Sequence, residues 1–150
     1  GQEDKSHCVK LRMVAATSLS ADPFESFQFD GVLGMGLDGL SQASDFNFMS
    51  VLLKNMQETG KGLTSTFGVF LAENAKEDSE IALGGWAEGH LAEDLSWGPV
   101  HDPDQGHWIV PVHGIRVDDL PLSLCSDGSC RAAVDTGTSL LAVPTTAFSE

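Results

Sequence analysis

Ala132-Ala133-Val134-Asp135-Thr136-Gly137-Thr138-Ser139-Leu140-Leu141 sets a single carboxylate between two apolar runs, near the end of a chain of 150 residues. The apolar flanks predict that this segment enters the interior and carries Asp135 with it. A buried carboxylate is costly unless it is hydrogen-bonded, neutralised or used. Gly137 lets the backbone turn closely past the acid, and Thr136, Thr138 and Ser139 offer hydroxyl donors beside the local N–H groups. Two readings fit these residues. The loop either holds an acid in a fixed orientation for chemistry, or is a structural turn capped by an aspartate side chain.

Upstream of this segment the pattern is mostly β. Phe67-Gly68-Val69-Phe70-Leu71 predicts a strand, Ala72 to Glu80 a charged turn, and Ile81-Ala82-Leu83 the returning partner that ends in Gly84-Gly85. Short strands are expected at Leu95 to Val100, His107 to Val112 and Gly114 to Val117, separated by turn-rich segments around Pro103 and Pro121. One helix interrupts them. Phe48, Val51, Leu52 and Met56 fall on one helical face, with Asp45 or Asn47 as cap and Gly60 as terminator. Nearer the start, Val9 to Leu19 predicts an extended strand that Pro23 punctuates. In Phe29-Asp30-Gly31-Val32-Leu33-Gly34-Met35-Gly36, glycines inside a strand-like run predict close backbone approach. This segment and the one around Gly137 form a faint internal echo, roughly 100 residues apart.

Composition narrows the function classes. Length is that of about one domain, and 41% apolar with 20% charged residues is a folding composition rather than a disordered one. No apolar run reaches the ~20 residues a membrane helix requires. A formal net charge of −14 would repel phosphate backbones, so nucleic acid is excluded as the expected partner. Acidic faces either keep the protein soluble or fit it to an acidic compartment. Cys125 and Cys130 enclose four polar residues and suggest a small disulfide ring, or two free thiols, while Cys8 has no evident partner. His90, His101, His107 and His113 match no standard ligand spacing, and the loop from Asp102 to Gly106 lacks the remaining acids of a calcium loop. They read as scattered surface histidines, and neither metal nor other cofactor is expected. The opening Gly1-Gln2-Glu3-Asp4, without an initiator methionine, reads as a processed or partial product.

Ala133 to Leu141, followed by Val143-Pro144-Thr145, closely resembles the second catalytic loop of pepsin-like aspartic proteases, peptidase family A1. The likeness runs in order along the chain from about Pro23. Phe29 to Gly36 resembles the family's Phe-Asp-Gly-apolar-Leu-Gly segment late in the N-terminal lobe. Phe67 to Leu71 and Glu80 to Gly85 resemble the strands that leave that lobe. Ser96-Trp97, Pro99-Val100, His107-Trp108 and Gly114-Ile115 are similar to the opening strands of the C-terminal lobe, and Cys125 and Cys130 stand where the family often has a small disulfide.

The resemblance implies a mainly β, bilobal acid-protease fold that is incomplete here. Residues 1–86 would be the C-terminal part of the N-lobe, and 87–150 the N-terminal part of the C-lobe. It implies an aspartic endopeptidase acting on peptides or proteins, with Asp135 as one catalytic acid, Thr136 and Thr138 orienting its loop, and Gly137 offering a carbonyl to substrate. Val134 and Ala133 would border the cleft. The parent would be monomeric, in the secretory pathway or an acidic vacuole-like compartment.

The departures matter as much. The family needs two such loops and a flap tyrosine, whereas this chain has one loop and no tyrosine. Asp30 is no substitute, because in the family that acid lies beside the Val32-Leu33-Gly34 strand and is not catalytic. Alone, the chain is therefore expected to be inactive and to fold poorly, with apolar edges left open. A non-catalytic pepsin-fold binding protein is the main alternative. A homodimer giving one aspartate per chain is opposed by the half-units at both ends. A phosphoryl-transfer loop of the Asp-Lys-Thr-Gly-Thr kind is opposed by the absent lysine.

Overall fold

A computed structural model describes residues 8–145; the outermost residues of the two expected units, 1–7 and 146–150, lie outside the described ones. The secondary structure is mainly β with one substantial helix. Three antiparallel two-stranded ladders are present: β1 (Phe67–Phe70) with β2 (Glu80–Leu83), β3 (Ile109–Val112) with β6 (Cys130–Ala133), and β4 (Arg116–Val117) with β5 (Leu120–Pro121). A helical turn, α1 (Ala21–Phe24), precedes the main helix α2 (Phe48–Glu58).

Helix α2 follows its sequence signals closely. The Asn47 side chain accepts the Ser50 N–H at 3.0 Å and so caps the start. At the far end Gly60 takes φ 70°, its N–H reaches the Gln57 carbonyl, and the Lys61 N–H reaches the Met56 carbonyl. This paired closure suits a glycine because a Cβ would resist the left-handed backbone. Leu52 is buried, and Phe48, Val51 and Met56 are half-buried beside it.

The β1–β2 hairpin also forms as the alternation predicts, with Phe67 opposite Leu83 and Phe70 opposite Glu80. Two expected strands do not form. Residues 9–19 and 95–100 belong to no ladder. In the first of these, the Arg12 N–H donates to the Asp45 carbonyl at 3.0 Å. Strand propensity reflects fit to a pleated, half-buried surface, and neither segment has a neighbouring strand to provide one.

The first and second expected units meet at Gly106, which is buried at φ 84°. The Leu37 N–H donates to the Gly106 carbonyl at 2.8 Å, and the Trp108 indole N–H donates to the Met35 carbonyl at 2.8 Å. The Asn47 amide adds a bond to the Gly36 carbonyl at 2.9 Å. A Cβ on Gly36 would lie 3.2 Å from the Gly106 carbonyl oxygen, so the expected close approach occurs there. It does not occur at Gly31 or Gly34, which face open space.

Leu52 is the one buried hydrophobic side chain among the described residues, while Val32, Trp97, Leu140 and Leu141 are largely exposed. A core this thin leaves most of the apolar surface in water, where burial would otherwise contribute about 25 cal/mol per Å².

Candidate functional site

Strand β6 leads directly into the aspartate loop. Cys130 and Ala132 point to the half-buried side, and Arg131 and Ala133 to the exposed side. The Cys125–Cys130 disulfide, with Cα atoms 5.2 Å apart, closes the ring that starts this strand. Inside the ring, Asp127 accepts the Ser129 N–H at 2.9 Å and the Ser129 hydroxyl at 2.8 Å. Both bonds favour the ionised carboxyl and hold its pKa below the ordinary 3.8. Cys8 is free and exposed.

Beyond β6 the chain makes a hydrogen-bonded turn, with the Thr138 N–H on the Asp135 carbonyl at 3.2 Å. Both carboxylate oxygens of Asp135 are engaged. One accepts the Gly137 N–H at 2.9 Å and the other the Thr138 hydroxyl at 2.7 Å. The Thr138 hydroxyl bond is the largest cause of a pKa lowered from 3.8; the Gly137 N–H and then the charge of His107 act in the same direction. A Cβ at Gly137 would stand 3.2 Å from the carboxylate, so a side chain there would crowd the acid.

Two expectations are corrected here. Asp135 is exposed rather than buried, and so are its flanks: Val134 is 57% exposed, Leu140 83% and Leu141 89%. Apolar flanks enter an interior only where another layer covers them, and no described element lies over this turn. Of the three hydroxyls expected around the acid, Thr138's alone bonds the carboxylate; Thr136 and Ser139 make no such bond. Asp30 lies in an exposed bend remote in sequence from this loop.

His107 is exposed, as expected of a surface histidine, and its charge acts on Asp135. Strands β3 and β6 pair residues 109–112 with 130–133, and no local pattern encodes that pairing. Two open grooves lie elsewhere, about 460 Å³ along Trp86 to Leu95 and about 260 Å³ between the β1–β2 hairpin and Trp97. Neither includes any residue of the aspartate loop. Among the described residues no cluster of His, Cys, Asp and Glu has the makings of a metal site, and no helix is long and apolar enough to cross a membrane.

A geometry like that of Asp135 recurs at Asp127, an ordinary turn cap, so hydrogen bonding alone does not distinguish catalyst from cap. Comparison with known proteins does more. The chain matches the family described as eukaryotic aspartyl protease over residues 6–150. It is 36% identical over 122 residues to pepsin II-1 of Oryctolagus cuniculus, covering 81% of this chain and 30% of the relative. Gastricsin of Cavia porcellus is 36% identical over 118 residues (78% and 28%), and cathepsin E of Rattus norvegicus 34% over 123 residues (81% and 29%). The chain thus spans less than a third of the length of the curated relatives it matches.

Proposed function

Since the chain belongs to the eukaryotic aspartyl protease family, we propose that it is part of a pepsin-like aspartic endopeptidase in which Asp135 is one of two catalytic carboxylates. The observation that carries this reading is the family match over residues 6–150, which takes in the Asp135 loop, where the Gly137 N–H and Thr138 hydroxyl engage both carboxylate oxygens. Such a grip orients the acid and favours its charged form.

Peptide hydrolysis without a covalent intermediate needs a base for water and an acid for the substrate. Two carboxylates at close range provide both, because they do not ionise together and one keeps its proton; aspartic proteases are the standing illustration of this rule. The ionised member takes one proton from water as the water oxygen bonds to the amide carbon, and the protonated member gives its proton to the amide oxygen. The C–N bond then breaks as the newly protonated carboxyl gives its proton to the departing amine. The other carboxylate takes one from a hydroxyl on the carbon, which leaves the acid product and restores the singly protonated pair. Asp135 contributes one member, and the other comes from an Asp-Thr/Ser-Gly loop outside these residues. Thr138 orients Asp135. The Gly137 carbonyl faces substrate, with Val134 and Ala133 at the cleft border.

On this reading residues 1–86 complete an N-lobe, and 87–150 begin a C-lobe. The chain alone lacks a carboxylate partner and is inactive. The whole protein is a monomer that cleaves peptides or proteins. The Cys125–Cys130 disulfide supports an oxidising, secretory-pathway location, either secreted or in an acidic vacuole-like compartment.

The test begins with the complete coding sequence. A second Asp-Thr/Ser-Gly loop and a flap tyrosine are expected, together with acid peptidase activity blocked by an aspartic-protease inhibitor. A complete protein without the second aspartate, or with activity insensitive to that inhibitor, would overturn the reading.

A further inference from the structure

Trp108 ties the strand that leads to Asp135 to the first unit. Its indole N–H donates to the Met35 carbonyl at 2.8 Å, across 73 residues of sequence. Its ring meets Phe67 of β1 edge-on, with centroids 5.7 Å apart and planes at 72°. Its own carbonyl accepts the Val134 N–H at 2.9 Å, one residue before the acid. A half-buried indole N–H needs an acceptor, and the acceptor here belongs to the other unit. Resting on the reading of Asp135 as a catalytic carboxylate whose partner comes from the other lobe, we infer that Trp108 is a positioning residue. It sets the distance between the Asp135 loop and the lobe of residues 1–86.

Side chain and main chain of one residue serve opposite ends of this link. A shift of the Met35 segment must therefore break the indole bond or drag the Trp108 carbonyl, and Val134 with it. The edge-on contact with Phe67 holds the indole against the first unit and leaves it less room to swing. Beside it, the Leu37 N–H on the Gly106 carbonyl at 2.8 Å keeps the two units joined when the indole bond is lost. What is lost is the tie that runs on to Val134.

Two carboxylates titrate far apart only while they are close together, and a displacement of about 1 Å costs about 10²-fold in rate. A looser joint therefore lowers kcat and draws the limbs of the pH profile together, the acid limb rising and the basic limb falling. No charge changes with the indole N–H. His107 keeps its ring, and Arg131 on β6 keeps its bonds to the carbonyls of Gly128, Ser129 and Cys130. A narrower profile then reports the spacing of the carboxylates.

The experiment measures kcat, KM and the pH profile of kcat/KM for the complete protein and its variants. In one, 3-benzothienylalanine replaces Trp108, which keeps the ring's size and puts sulfur where the N–H stood. The others are Trp108→Phe, Leu52→Ala and Asp135→Asn. The inference expects the benzothienyl protein to lose about tenfold in kcat, with KM little changed and both limbs moved inward. Trp108→Phe should lose more and narrow likewise. Leu52→Ala, which empties the buried position of α2, should lower Tm and leave the width of the profile unchanged. If Asp135→Asn retains activity, the catalytic reading itself fails. If Asp135→Asn is inactive while the benzothienyl protein matches the parent in kcat and profile, the inference alone fails. Losses in Trp108→Phe that follow Tm as in Leu52→Ala, with both limbs unmoved, would also overturn it and leave Trp108 as a packing residue.

Discussion

Replacing Asn47 tests how the helix and the glycine segment are joined. Asn47 is 4% exposed and works in two directions. Its oxygen caps helix α2 through the Ser50 N–H at 3.0 Å, and its nitrogen donates to the Gly36 carbonyl at 2.9 Å. Loss of an N-cap costs about 1 kcal/mol. Leaving a part-buried carbonyl without its donor costs about 1–2 kcal/mol more. Asn47→Ala should therefore destabilise by about 2–3 kcal/mol, a large share of the 5–15 kcal/mol typical of a folded protein. Asn47→Ser keeps a capping oxygen and loses only the donor, so it should cost about 1 kcal/mol less. Urea denaturation of the complete protein, followed by tryptophan fluorescence, reads the difference. With a slope of about 2 kcal/mol/M, Asn47→Ala lowers the midpoint by about 1–1.5 M. A midpoint within about 0.25 M of the parent's, or equal losses for the alanine and serine variants, would refute the two-way role.

Gly106→Ala should destabilise by at least about 2 kcal/mol. Its φ of 84° is strained for alanine and the new Cβ would overlap the Leu40 N–H; a melt within 1 °C of the parent's would contradict this. Cys125→Ser with Cys130→Ser opens a ring of sequence separation 5 and should cost about 2 kcal/mol from loop entropy, checked by the same denaturation. Thr138→Ala removes the main cause of the lowered Asp135 pKa. The carboxyl then takes its proton at higher pH, so the acid limb of kcat/KM should rise, and a limb unmoved in Thr138→Ala would count against the hydroxyl's role. Asp127, with its pKa also lowered, stabilises its turn above the unfolded carboxyl's titration. That contribution is lost as pH falls through the folded value, so Asp127→Asn should flatten the stability profile below about pH 4.

The parts of this fold that were legible in the sequence are those whose information is local. Helix α2 carries its own face, cap and terminator in Leu52, Asn47 and Gly60. The β1–β2 hairpin carries its alternation and its charged turn. The Asp135 loop was legible as a loop, with Thr138 among the hydroxyl donors expected beside the local N–H groups. What failed depends on long-range pairing. Residues 9–19 and 95–100 have strand-like composition but no neighbouring strand, and nothing local reports that absence. Burial of Asp135 was inferred from its flanks, although burial belongs to whatever layer covers them.

The most direct test of the central claim is the rate of peptide hydrolysis at acid pH by the complete protein and its Asp135→Asn variant. The amide keeps the size of the side chain and one acceptor oxygen, but it neither takes a proton from water nor gives one to substrate. The account predicts a loss of kcat of at least about 10³-fold, as expected for one member of a catalytic unit, with Tm within a few degrees of the parent's. Activity within tenfold of the parent's would show that Asp135 is a turn cap like Asp127, and that catalysis, if present, lies elsewhere.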